Sequence, residues 1–375
     1  MSEESTSDRV LREVKAELAG TPYCFESARL LSGGTTNFIF HVKLQQPLFD
    51  GTVEVAIKHG EGFVAQSPGF KLPTSRCRIE ESCLREFSAF PPYSGQKFSV
   101  ATPKLFYFNE ETNTQVQAYQ PSPRSLKNYA IQYFAASTSE STTLESVKSQ
   151  CLDIGKAVGM WLRSFHDWSN SEEQLKFRDL AAGNKEMQTL KQWMNYERLP
   201  NSITRFPDIL GDCNDIFADI VDSVKREMMV DDKNLQVIHG DFWTGNILLE
   251  GNPWDDEHSH LLVVDWEMCQ LAVRPLDLGQ MIAELYELKL YKEMESGVWL
   301  IQGFVEGYGA VDDDFAFRTL LHVAVHLIGF GTTVQGWGTQ DQAKTVASEG
   351  RNILKNAWAK DRISFEKHPL GCIFS

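Results

Sequence analysis

Thirteen residues in the second half of the chain, VIHGDFWTGNILL from Val237 to Leu249, limit its fold more than its composition does. Val237-Ile238 reads as the end of a buried strand, His239-Gly240-Asp241 as the turn that leaves it, and Ile247-Leu248-Leu249 as the strand that returns. A second apolar run, HLLVVD from His260 to Asp265, carries the β-branched pair Val263-Val264 and ends on an acid. Asp241 or Asp265 alone would serve as a turn residue closing a buried strand. Together with Asn246 they form three oxygen-bearing side chains at the ends of adjacent strands, a set that suits a hard cation.

In kinases an Asp at the position of Asp241 accepts a hydrogen bond from the attacking hydroxyl, and an Asn five residues later holds magnesium on the phosphates, as Asn246 would. Asp265 stands where the second magnesium carboxylate belongs. HGDFWTGN, followed by VVDWEMCQLAVRPLDLGQMIAEL, resembles the aminoglycoside phosphotransferase and choline kinase superfamily, nearest the branch of 5-methylthioribose kinase and fungal hydroxytryptamine kinase. The likeness runs from about Leu30 to about Ala359. It implies an α+β, protein-kinase-like fold, with a small antiparallel-sheet lobe and a mainly helical lobe. It further implies ATP and Mg²⁺ as cofactors and a small-molecule hydroxyl acceptor. The HRD arginine of protein kinases is replaced by Gly240, Trp266-Glu267 replaces their Phe-Gly, and no A-P-E element follows, which disfavours a protein kinase.

The first third of the chain fits the nucleotide side of such an enzyme. Ser32-Gly33-Gly34-Thr35 precedes alternating Phe38, Phe40 and Val42, a strand, glycine turn and strand in which Gly33 and Gly34 would let backbone N–H groups approach phosphate. A hairpin turn that binds nothing is equally easy to write from the same residues. Val53, Val55 and Ile57 alternate and deliver Lys58 in VEVAIKH, like the V-A-I-K lysine that meets the α- and β-phosphates. A buried lysine needs a carboxylate partner. The helix RCRIEESCLREF offers Glu80, favoured by the likeness to methylthioribose kinase, with Glu86 as the alternative. TPKLFYF and TQVQAY read as two further strands that complete a five-stranded small lobe. By resemblance Tyr119 and Pro121 occupy the adenine hinge, although Pro121 has no N–H to give.

A chain of 375 residues is too long for one ordinary core, and two lobes are expected, 1–120 and 121–375. Hydrophobic residues make up 42% and charged residues 23%, without an apolar run of about 18 residues that could span a membrane. The polar, acidic first 20 residues lack the pattern of a secretory signal, so a cytoplasmic location is expected. Seven scattered cysteines without a C-x-x-C pair indicate free thiols. A net charge of −15 argues against nucleic acid and is compatible with a cationic substrate. Composition is silent on oligomeric state.

Apolar residues at helical spacing predict helices over 7–19, over Thr143–Trp168 and over Asp212–Met229, with nothing between 170 and 234 singled out for chemistry. His166 is expected to pack behind the catalytic loop, and Asp277 to anchor that loop rather than touch substrate. His322 and His326, four apart on one helix, are expected to pack or to line the acceptor pocket, since they lack the glutamate and third ligand of a zinc motif. Retention of Lys58, Asp241, Asn246 and Asp265 favours an ATP-dependent small-molecule kinase acting on a hydroxylated amine or sugar over a silent nucleotide-binding pseudokinase.

Overall fold

The computed structural model describes residues 5–31, 34–135, 143–229, 235–254, 258–333 and 337–374. Gly33 lies outside the described residues. The chain divides into two compact units, Met1–Ala89 with Thr102–Pro121, and Phe90–Ala101 with Ser122–Ser375. Phe90–Ala101, within the first lobe by sequence order, therefore packs with the second unit.

The first unit is built on a five-stranded antiparallel sheet in the order Phe25–Leu30, Phe38–Leu44, Glu54–His59, Thr114–Ala118, Leu105–Asn109. Strand alternation sends Phe38, Phe40, Val42 and Leu44 to one side, where they meet Val55, Ile57 and Val116. The Thr6–Leu18 helix, capped by Ser5, closes this core with Val10, Val14 and Leu18 at four-residue spacing. Sequence periodicity did not reveal the hairpin of Phe63–Val64 and Ser67–Lys71, which lies on the glycine turn. There Ala65 N–H donates to Thr36 O (3.0 Å), Gln66 N–H to Thr35 O (3.1 Å), and the Gln66 amide to Gly34 O (2.9 Å).

In the second unit, strand Ile247–Leu249 pairs antiparallel with Ser259–Val263, and the latter runs parallel to Phe98–Ala101. Val237-Ile238 does not pair with the returning strand. It joins Gln270–Ala272 in a separate two-stranded sheet, because the loop between makes a 3-10 turn at Thr244–Asn246 and carries the chain across. The long helix Leu144–Ser169 packs closely on Glu295–Tyr308 through two glycine pairs, Gly155 with Gly159 and Gly303 with Gly307. A Cβ at Gly159 would overlap the Phe304 carbonyl, and one at Gly307 the Lys156 carbonyl, so the helix backbones touch here. The helix Asn214–Met229 starts two residues after the expected Asp212, and a further helix runs over Pro275–Lys292.

Candidate active site

In the first unit, the register that pairs Ile39 with Lys58, and Lys58 with Gln115, sets Lys58 at the buried end of its strand. Its ammonium lies 2.7 Å from Glu80 on the Ser75–Glu86 helix, and Glu80 is itself buried. The Gln115 amide donates to the Glu80 carboxylate at 3.4 Å and to Cys77 O at 3.1 Å, which fixes both elements together. Glu86, the alternative, ends the same helix and is exposed. Tyr119, placed by resemblance at the adenine hinge, stacks on His41, with centroids 4.0 Å apart and planes at 14°. Gly34 is cramped: a Cβ there would come 3.0 Å from Asn37 O and 3.1 Å from the Ile39 side chain.

In the second unit, the loop after Ile238 is held from beneath. Asp277, buried at the start of the Pro275–Lys292 helix, accepts the His239 N–H at 2.8 Å on one oxygen and the Gly240 N–H at 3.0 Å on the other. His166 lies behind it, 3.1 Å from Asp277 through Nε2 and 3.0 Å from the Tyr308 hydroxyl through Nδ1. Burial lowers the His166 pKa against the pull of Asp277. Both residues therefore play the supporting parts expected of them. Gly240 has φ +81°, and a Cβ there would overlap the Met268 carbonyl. The chain needs glycine where protein kinases place arginine.

That turn presents Asp241. Its Oδ1 accepts from the Lys191 ammonium at 2.7 Å and from the Gln280 amide at 2.8 Å, while Lys191 also donates to Gln280 Oε1 at 2.9 Å. Burial would raise this carboxyl, but the Lys191 charge and these hydrogen bonds bring its pKa below the ordinary value. Asn246 donates its amide N–H to Asp241 O at 3.0 Å and to Oδ2 at 3.2 Å, which turns the amide oxygen away from the aspartate. Val264 N–H donates to Asn246 O at 3.0 Å, tying the loop to the strand that leads to Asp265. This strand ends at Val263, two residues early, because Asp265 adopts a left-handed conformation with φ +70°. A carboxylate oxygen of Asp265 lies within 4.8 Å of one from Glu267.

Lys191 carries no sequence signature. Lys191 shares a buried polar helix face with Asn184 and Gln188, at positions i, i+4 and i+7. Asn184 donates to the carbonyls of Glu267 (3.1 Å) and Cys269 (2.8 Å), and Gln188 to that of Leu271 (2.6 Å), so one face supports Asp241 and the segment after Asp265 together. Such a face looks solvated in sequence. Gln280 follows Asp277 by one turn, and that spacing was the available clue. His322 and His326 have separate partners, the Tyr196 hydroxyl at 2.8 Å and Glu284 at 3.0 Å, and do not act as a pair.

Residues 55–317 match the sequence model of a family described as the phosphotransferase enzyme family. Phosphotransferase FrzJ of Cladobotryum sp is 25% identical over 384 residues, covering 99% of this chain and 98% of that protein. The 4-hydroxytryptamine kinase of Psilocybe cyanescens is 21% identical over 330 residues, covering 87% and 86%. Among solved structures, the GDP complex of aminoglycoside 2'-phosphotransferase-IIIa superposes with a TM-score of 0.51 over 95% of this chain and 100% of that one. At 11% identity that likeness shows the fold.

Proposed function

This chain belongs to the phosphotransferase enzyme family, and from that premise we propose that it is an ATP-dependent, magnesium-dependent kinase of a small hydroxylated amine. The observation that carries the reading is the fixing of Asp241. Lys191 and Gln280 occupy one carboxylate oxygen and keep the group ionised, which leaves Oδ2, hydrogen-bonded among the described residues by the Asn246 amide at 3.2 Å, to accept from an acceptor hydroxyl. The acceptor oxygen forms its bond to the γ-phosphorus as the bond to the β–γ bridging oxygen breaks, and that electron pair leaves with ADP. A carboxylate with a depressed pKa is a weak base, so Asp241 orients the hydroxyl and takes its proton late in the transfer.

The donor set fits a hard cation: the Asn246 amide oxygen, freed by the orientation of its nitrogen, and the Asp265 carboxylate are both oxygens. A magnesium ion held by Asn246 and Asp265 would supply charge neutralisation to the nucleotide's phosphates. To Lys58, steadied by Glu80, we assign the α- and β-phosphates, and to Gly34 and Tyr119 the remaining nucleotide contacts. The kinase named for 4-hydroxytryptamine suggests the acceptor class.

The test is Asp241→Asn, assayed by nucleotide diphosphate release with ATP and GTP against amine, sugar and nucleoside acceptors. Turnover should fall about a hundredfold to ten-thousandfold, with nucleotide affinity near that of the parent. A variant that keeps half its turnover refutes the assignment.

A further inference from the structure

The Pro275–Lys292 helix carries more than Gln280 on the face turned to Asp241. Glu284 and Glu287 follow at i+4 and i+7, both buried, and with His326 they bring ligand atoms within 4.8 Å of one another. Glu284 accepts from or pairs with His326 Nε2 at 3.0 Å and lies 3.5 Å from the Thr244 hydroxyl in the catalytic loop. Glu287 is fully buried, and among the described residues neither of its carboxylate oxygens has a hydrogen-bond partner. Gly331 admits it, since a Cβ there would come 2.6 Å from Glu287 Oε1. An acid buried in this way is expensive unless a cation or donor completes it.

A cation already reaches the cluster. Lys127 places its ammonium 3.5 Å from Glu284 Oε2, 3.5 Å from the centroid of the Trp337 ring and 6.0 Å from that of Trp243. Carboxylate and indole face are the two surfaces that recognise an organic ammonium. Trp337 is itself fixed, stacked on Tyr291 and held by Lys292 through its carbonyl at 2.8 Å. Lys127 enters from a partly exposed position on a flexible four-carbon stem.

We propose that Lys127 is a removable internal cation, and that the ammonium group of the acceptor displaces it to sit between Trp337 and the carboxylates of Glu284 and Glu287. This rests on the kinase reading above and names the cationic end of its substrate. The space for an ammonium is the space Lys127 fills. A neutral acceptor that pushes Lys127 aside leaves buried Glu284 with His326 and Thr244 but without its ammonium partner, whereas a cationic one restores the pair and adds a partner for Glu287, so the exchange selects for charge. Burial and the neighbouring Glu284 hold the Glu287 carboxyl well above its usual pKa against the pull of Lys127. The helix rise of ~1.5 Å per residue sets Glu284 and Glu287 about 6–10 Å along the axis from Gln280, whose amide meets Asp241. The acceptor hydroxyl and ammonium should therefore be separated by about that distance, the span of an aromatic ring with a short alkyl arm.

The probe pair is 2-(4-hydroxyphenyl)ethylammonium and its neutral isostere 2-(4-hydroxyphenyl)ethanol, titrated calorimetrically into the full-length protein without nucleotide, beside thermal melts. The ammonium should bind at least about tenfold more tightly than the alcohol. Glu287→Gln and Glu284→Gln should each remove that preference, and Lys127→Met should tighten ammonium binding about tenfold or more. A Lys127→Met protein that binds the ammonium no better than the parent, whatever its melting temperature, overturns the proposal. Equal affinity for the two probes overturns it too, as does uptake of Zn²⁺ by the glutamates with no response to the ammonium. Because binding is read without nucleotide, absence of diphosphate release with every acceptor would count against the kinase reading alone.

Discussion

At the scale of single residues, the centre of the site is a charge problem solved by Lys191. A half-buried aspartate must stay ionised to accept from a hydroxyl, and burial opposes this. Lys191 at 2.7 Å wins, and the folded Asp241 titrates below its ordinary value. Activity that needs this carboxylate is then present at neutral pH and lost only as pH falls through the depressed pKa. Lys191→Met removes the largest opposition to burial and leaves the Gln280 hydrogen bond, so the pKa rises and the acidic limb of the kcat/KM profile moves to higher pH, with turnover at neutral pH down about tenfold or more. An acidic limb that stays in place in this variant would show that Lys191 does not set the charge of Asp241. Lys191 was invisible in sequence for a physical reason. A lysine on a polar helix reads as a solvated cation, and only the buried face it shares with Asn184 and Gln188 distinguishes it.

At the scale of elements, the strands were legible because inward and outward residues alternate, as in Phe38–Leu44, and the chemistry-bearing turns because Asp and Gly interrupt apolar runs. Pairing was not legible. The Phe98–Ala101 strand lies parallel to Ser259–Val263, from far along the chain, and nothing local specifies a partner at such separation. The crossing of Leu144–Ser169 on Glu295–Tyr308 was written as four glycines at helical spacing, but each helix by itself reads only as amphipathic or buried. Since this crossing positions His166 behind Asp277, Gly159→Ala should destabilise the fold by about 3 kcal/mol or more, the upper end for inserting a methyl group into close packing, because its obstacle is backbone. Denaturant unfolding checks this; a loss under 1 kcal/mol would mean the helices can part without cost.

At the scale of the whole molecule, ligand linkage separates the two aspartates. Magnesium-ATP at a hundred times its dissociation constant should stabilise the parent by about 2.7 kcal/mol. Asp265→Ala should lose that magnesium-dependent increment. Asp277→Ala should be destabilised without ligand, by about 1–3 kcal/mol for each of the His239 and Gly240 donors it strands, and should lose activity in step while still requiring magnesium. If Asp277→Ala instead melts normally and fails to respond to magnesium-ATP, the roles of the two residues are reversed. The five strands of the first unit's sheet, the family motif and the candidacy of Asp241, Asn246 and Asp265 were legible in sequence alone, because turn chemistry and apolar period are local properties of the chain. Tertiary structure decided which glutamate meets Lys58, what keeps Asp241 charged, and that Glu284, Glu287, Lys127 and Trp337 converge. Those are contacts between residues far apart in the chain, and their energies come from burial and mutual charge, which no local pattern records.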